Sequence, residues 1–235
     1  MYQSAEPLNK SAHAHLRYRA LNEYGFSRAL TTAALSVDEC EQASYEYPIL
    51  FSAQGEPLSL LAVLGLNGEN VYLDANNHWT GSYVPAYVRR YPFALAQGPE
   101  ADQFFLAIDR QAPHFSAQDA EALLTAEGEL GEPAVKALGF LKVYRESMLK
   151  TEAVLNVFAS KGILVAQELT VKDGDTTRVI GGFRVVDAKK LYALSDEVLA
   201  QWARNGFLQL IYAHWNSLRH LNAVAVASSR PSAVN

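Results

Sequence analysis

The chain has 235 residues, 49% of them hydrophobic, including 10 Phe, 12 Tyr and 3 Trp, which is enough to bury a core and excludes intrinsic disorder. A net charge of −5, with no basic run longer than Arg89-Arg90 or Lys189-Lys190, argues against nucleic acid and anionic lipid as partners. The single cysteine, Cys40, excludes an internal disulfide framework, and the most apolar run, residues 57–66, falls well short of the roughly 20 residues that a membrane helix needs.

In chain order, residues 1–10 read as a loose polar tail. Residues 1–19 contain no apolar stretch of signal-peptide length, so the expected compartment is the cytoplasm. Residues 13–19 alternate like a short strand, and residues 29–37 are small, β-branched and apolar, which predicts another. Ser36, followed by Asp38, Glu39 and Glu41, marks a helix start that must end before Pro48. Residues 49–52 and 58–66 then form two buried strands around the turn at 53–57; the second is apolar on both faces and should be central. Residues 71–74 are a fourth strand. A loop carries His78 and Trp79, residues 83–91 suit a short helix with Pro85 in its first turn, and 93–96 and 104–109 return to strand.

The second half changes character. Residues 133–161 form a long helix, with Leu138, Leu141, Met148, Leu155 and Phe158 on one face and Gly162 as its stop. Residues 165–171 and 177–186 flank Lys172-Asp173-Gly174-Asp175, a hairpin turn signal. Ser195-Asp196-Glu197 opens a helix ending near Gly206, and residues 207–222 form the last, with Leu208, Ile211, Trp215 and Leu218 on one side. The fold class is α+β: a strand-rich N-terminal half of mostly antiparallel sheet, then a long helix, a β-hairpin and two further helices. One domain spans 1–235, with loose tails at 1–10 and 228–235.

Little in the chain points to catalysis, and no cofactor can be named. His13 and His15, two apart on a strand, would share a face, but nothing nearby completes a metal site. His214 and His220 point about 240° apart on a helix and cannot chelate together. His214, beside Ile211 and Trp215, reads as a partly buried, hydrogen-bonded histidine, with a general-base role as the rival. Acidic neighbours make Cys40 a poor nucleophile. Gly65-Leu66-Asn67-Gly68 has the wrong spacing for a phosphate loop, and Gly181-Gly182 inside a strand suggests a bulge.

One segment stands out. Residues 79–93, WTGSYVPAYVRRYPF, combine five aromatic side chains with two arginines and two prolines. Aromatic faces beside guanidinium groups can receive peptides, rings or carboxylates. Trp79, Tyr83, Tyr87, Arg89 and Arg90, together with Tyr212 and His214, are the candidate contact residues. The rival reading puts the rings in the core and pairs the arginines with acids.

The stretches LNKSAHAHLRYR, YPILF, LLAVLGLNGENVYLDANNHW, YVPAYVRRYPF, GGFRVVD and LQLIYAHWNSL occur in that order and span nearly the whole chain. In them the sequence resembles the bacterial SapC family. The resemblance implies an association with surface-layer proteins, and relatives stand near halogenase-like, cupin-like or iron oxygenase-like proteins and outer-membrane receptors. It thus implies an accessory protein that handles a peptide, a small metabolite or a partner protein. A peptide-transporter permease label, also met in the family, conflicts with the shortness of the apolar runs. Two alternatives stand beside the binding role: an enzyme acting on a peptide or amino-acid-like substrate with His214 as acid–base group, and a surface-layer-associated structural protein. The oligomeric state is open.

Overall fold

The structure, a computed structural model, describes residues 1–100, 103–115, 120–173 and 176–229, with the side chains at 169, 171–173, 176–178 and 180 left out of the description. In chain order the elements are β1 (Ala5–Pro7), α1 (Lys10–His13), β2 (Arg17–Tyr18), β3 (Thr32–Leu35), α2 (Cys40–Ser44), β4 (Ile49–Ser52), β5 (Leu60–Val63), α3 (Ala86–Arg89), β6 (Phe93–Gln97), β7 (Phe104–Asp109) and β8 (Glu121–Ala122). The second half adds α4 (Glu132–Ser160), β9 (Leu164–Asp173), β10 (Thr176–Val186), α5 (Ala188–Tyr192), α6 (Asp196–Arg204), α7 (Phe207–Ser217) and α8 (Leu221–Ser229). The fold is α+β, and every strand pairing among the described residues is antiparallel.

The larger sheet runs β3-β5-β4-β10-β9, the smaller β1-β7-β6, and β2 pairs with β8. β5 is paired on both edges, as its two apolar faces predict. β4 explains how the helices divide: Ile49 and Phe51 face a core shared with α2, α4, α6 and α7, whereas Leu50 faces Leu221 and Val224 of α8. Successive strand residues point to opposite faces, so a fully buried strand needs a helix on each side.

α4 links the two sheets. Over its 29 residues it extends about 43 Å. Ala134 and Leu141 pack on the smaller sheet, while Val154, Leu155 and Phe158 enter the larger core. Its start is drawn tightly against β8: a Cβ on Gly131 would lie 2.3 Å from the Ala122 carbonyl oxygen, so only glycine allows that approach. At the other end Gly162, at φ 66°, supplies the expected left-handed stop.

Several expectations need correction. Residues 1–10 are docked rather than loose: β1 pairs with β7, and the Gln3 and Ser4 amides donate to the buried Asp109 carboxylate at 2.8 and 3.0 Å. Residues 13–16 are not strand. Asn9 caps the turn α1 by accepting from the Ala12 amide, which buries His13 and leaves His15 exposed, so the two do not share a face. Residues 71–74 contribute one bridge, Leu73 to Trp79, instead of a strand. Pro85 is the N-cap of α3, one residue ahead of the first turn. The last helix breaks at Leu218–His220, because the Ser217 hydroxyl turns back to the His214 carbonyl at 2.6 Å, and α8 then crosses to the other face of the sheet. The bulge at Gly181-Gly182 is present as a register shift between Ile180 and Phe183. The turn residues Gly174 and Asp175, and the tail from residue 230, lie outside the described residues.

Candidate functional site

The segment 79–93 is held in place by two carboxylates. Ser36 and Glu39 form a capping box around the 3-10 turn Val37–Glu39. The buried Glu39 carboxylate then accepts from Ser36 N at 3.0 Å, Ser36 Oγ at 2.9 Å, Tyr83 Oη at 2.6 Å and Ala86 N at 2.7 Å. Glu46 accepts from the Ser82 amide and hydroxyl. Trp79 donates through Nε1 to the Tyr47 hydroxyl at 2.8 Å, and that hydroxyl donates to the Tyr83 carbonyl. Burial, then the Glu39 charge, pushes the Tyr83 phenol above its usual range. The interior reading therefore describes Trp79 and Tyr83.

The far end of the segment differs. Arg89 is exposed; its Nε donates to the Val84 carbonyl at 2.8 Å and its guanidinium lies over the rings of Tyr83 and Phe140, 5.7 and 5.3 Å from their centroids. Arg90 is half-buried. Its guanidinium sits 4.4 Å from the Tyr87 centroid and 5.5 Å from those of Tyr2 and Tyr144. Burial raises the Tyr2 and Tyr144 phenols to about 12, so both stay neutral and supply no countercharge. Neither arginine forms an ion pair among the described residues, and Arg90 Nε is buried without a partner there. The expectation that acids pair these arginines fails for that reason.

Both arginines line a cavity of about 420 Å³ between α4 and the strands β2, β6 and β8. Arg19 and Lys136 complete its cationic side, and Glu121 is its one carboxylate among the described residues. Lys136 is paired with Glu132, whereas Arg19 forms no ion pair among the described residues. Tyr18, Ala20, Phe93, Pro133, Ala137 and Phe140 give the rest of the wall its apolar character. A volume of this order is typical of small-molecule sites, where a few polar groups orient a largely apolar body.

A family model for SapC matches residues 8–224, a span that holds every residue lining this cavity. The chain belongs to the SapC family. No curated protein and no solved structure matches it.

In this SapC protein His214 lies far from such a surface. It is fully buried; its Nδ1 bonds the Ile49 carbonyl oxygen at 2.7 Å, and its Nε2 accepts from the Val186 amide at 3.2 Å, which fixes the Nδ1–H tautomer. β4 and β10 pair at Arg184 with Phe51, so Val186 and Ile49 stand opposite each other where the next rung would fall. The imidazole bridges that missing rung. Burial pushes its pKa down to about 4, partly offset by the Ile49 bond. With both nitrogens committed and no access to water, His214 is withdrawn as a contact residue and as an acid–base group. Tyr212 is 45% exposed on the same helix, packs beside Trp215, and does not line the cavity. Tyr87 reaches the site only through Arg90.

Cys40 is raised to about 12, first by burial and then by Glu39 and Glu41, so enclosure matters more than the neighbouring charge. Among the described residues no three His, Cys, Asp or Glu side chains converge to hold a metal, and no helix is long and apolar enough to cross a membrane. Sequence reasoning missed Tyr18, Arg19, Glu121, Lys136 and Phe140. The one available signal was the spacing of Pro133, Ala137 and Phe140, which forms a stripe on the long helix beside the cation at 136.

Proposed function

We propose that this SapC protein is a binding protein for a small carboxylate-bearing molecule, which it receives in the cavity between α4 and β2, β6 and β8. The observation that carries the reading is Arg90: a half-buried guanidinium, ringed by tyrosine side chains, with no carboxylate to balance it among the described residues. A buried charge normally comes with a partner. A bound anion would be that partner here, and Arg19 and Arg89 would add to the attraction. The guanidinium fork favours a planar, bidentate carboxylate. The role is one of holding or presenting a molecule, an accessory task that we assign to the cytoplasm, where the unpaired thiol of Cys40 would stay reduced.

Calorimetric titration with 3-cyclohexylpropionate and with 3-cyclohexylpropylamine at low salt tests the charge preference. The acid should bind and the amine should not, and Arg90→Gln should weaken the acid at least about tenfold, the loss of roughly one charged hydrogen bond. Equal binding of acid and amine, or an unchanged affinity in a folded Arg90→Gln protein, would overturn the reading.

A further inference from the structure

The apolar side of the same cavity says more about what the carboxylate is attached to. One wall is a single stripe of α4, with Pro133, Ala137 and Phe140 at helical spacing. The other comes from β2 and β6, where the rings of Tyr18 and Phe93 meet at 5.0 Å with a 56° tilt. Tyr18 is not free to turn, because its ring stacks on His114 with an interplanar angle of 1° and packs against Phe115. His114 is itself buried and neutral, its pKa pushed down to about 4 by that burial. Gly131 fixes the separation of the two walls by letting the start of α4 touch the Ala122 backbone.

Three of the six apolar contributors are therefore aromatic, held from three different elements. Phe140 also carries the Arg89 guanidinium over its face. Aromatic rings prefer edge-to-face or offset contact with other rings, a preference that a saturated ring of the same size cannot satisfy. A guanidinium likewise attracts a ring face.

We propose that the molecule bound here is an aromatic carboxylate, its acid group toward Arg90 and Arg19 and its ring between Phe140 on α4 and the Tyr18–Phe93 pair. This rests on the carboxylate reading given above, and adds the chemical class of the body. The space is adequate: roughly 150 Å³ holds a benzene ring in a protein interior, which leaves room for an acid arm in about 420 Å³.

Titrating 3-phenylpropionate against 3-cyclohexylpropionate tests it, since the two differ only in ring saturation. Apolar transfer alone favours the saturated ring, so the aromatic walls must reverse that order. The phenyl acid should bind about threefold to tenfold tighter, and Phe140→Leu should bring that ratio close to one. Should Phe140→Leu fail to fold, nuclear Overhauser contacts in the wild-type protein from the ring protons to the Ala137 methyl decide the matter. Equal affinities in the wild type, or a ring that touches none of these side chains, would overturn the aromatic assignment and leave the carboxylate reading intact. Binding of neither acid would overturn both.

Discussion

His214 and Arg90 both belong to segments rich in aromatic residues, yet the fold treats them in opposite ways. Around His214 every polar atom is consumed internally. The imidazole spans Ile49 and Val186, Ser217 Oγ accepts from the Ile49 amide at 2.9 Å, and Trp215 Nε1 donates to the Val186 carbonyl at 2.9 Å. Three side chains of α7 thus finish the backbone bonding that β4 and β10 leave open where they diverge. Around Arg90 the charge is walled by rings and left unbalanced among the described residues. A saturated polar seam joins elements together, whereas an unsaturated charge beside a cavity is free to meet a ligand.

That contrast can be broken from the seam side first. His214→Ala strands a buried carbonyl and a buried amide and opens a void beside Phe51, whose ring lies 5.0 Å from the imidazole. It should cost about 3–5 kcal/mol in urea denaturation, from orphaned groups of about 1–3 kcal/mol each plus the cavity. A loss below about 1 kcal/mol would mean that the bridge holds nothing.

Acid should act on this seam through His214 and on the wall behind Tyr18 through His114. Folding lowers the pKa of His214 and His114 from 6.5 to about 4, chiefly by burial. Between those values the unfolded chain binds more protons than the native one, so stability falls as the pH drops from 6.5 toward 4. Each histidine can contribute on the order of 3 kcal/mol to that loss. Urea midpoints measured from pH 7 to pH 4 should decline in this window, and His214→Ala should flatten the decline. A flat profile in the native protein would contradict the sealed, neutral imidazole.

A smaller effect separates the two ends of the 79–93 segment. Tyr83→Phe removes one of the four donors to Glu39 and should cost about 1.5 kcal/mol, in the range of a hydrogen bond to a charged group. A shift in melting temperature of a few degrees would register it, and no shift would place Tyr83 outside the interior scaffold.

What could be read in advance follows from range along the chain. The long helix, its Gly162 stop, the strands at 49–52 and 60–63, and the bulge at Gly181-Gly182 all depend on neighbours within a turn or a hairpin, where periodicity and glycine are informative. The docking of residues 1–10 was not legible, because β1 finds its partner about a hundred residues away in β7. Residues 71–74 look like a strand by composition but have no ladder to join, so they form only a bridge. The candidate site was half legible. Arg89 and Arg90 stood out within their own segment, but Arg19, Glu121 and Lys136 come from three others, and no local pattern records that these meet. Composition also could not separate the ring-and-carboxylate bonding of Trp79 and Tyr83 from the open end of the same segment.

The most direct measurement is of the Arg90 side chain itself, by following the arginine Nε–H resonances while 3-cyclohexylpropionate is added, with Arg90→Gln to assign the signal. The Arg90 resonance should shift saturably, with smaller movement at Arg19 and Arg89. An Arg90 resonance that stays in place through the titration, while arginines outside the cavity respond, would contradict it.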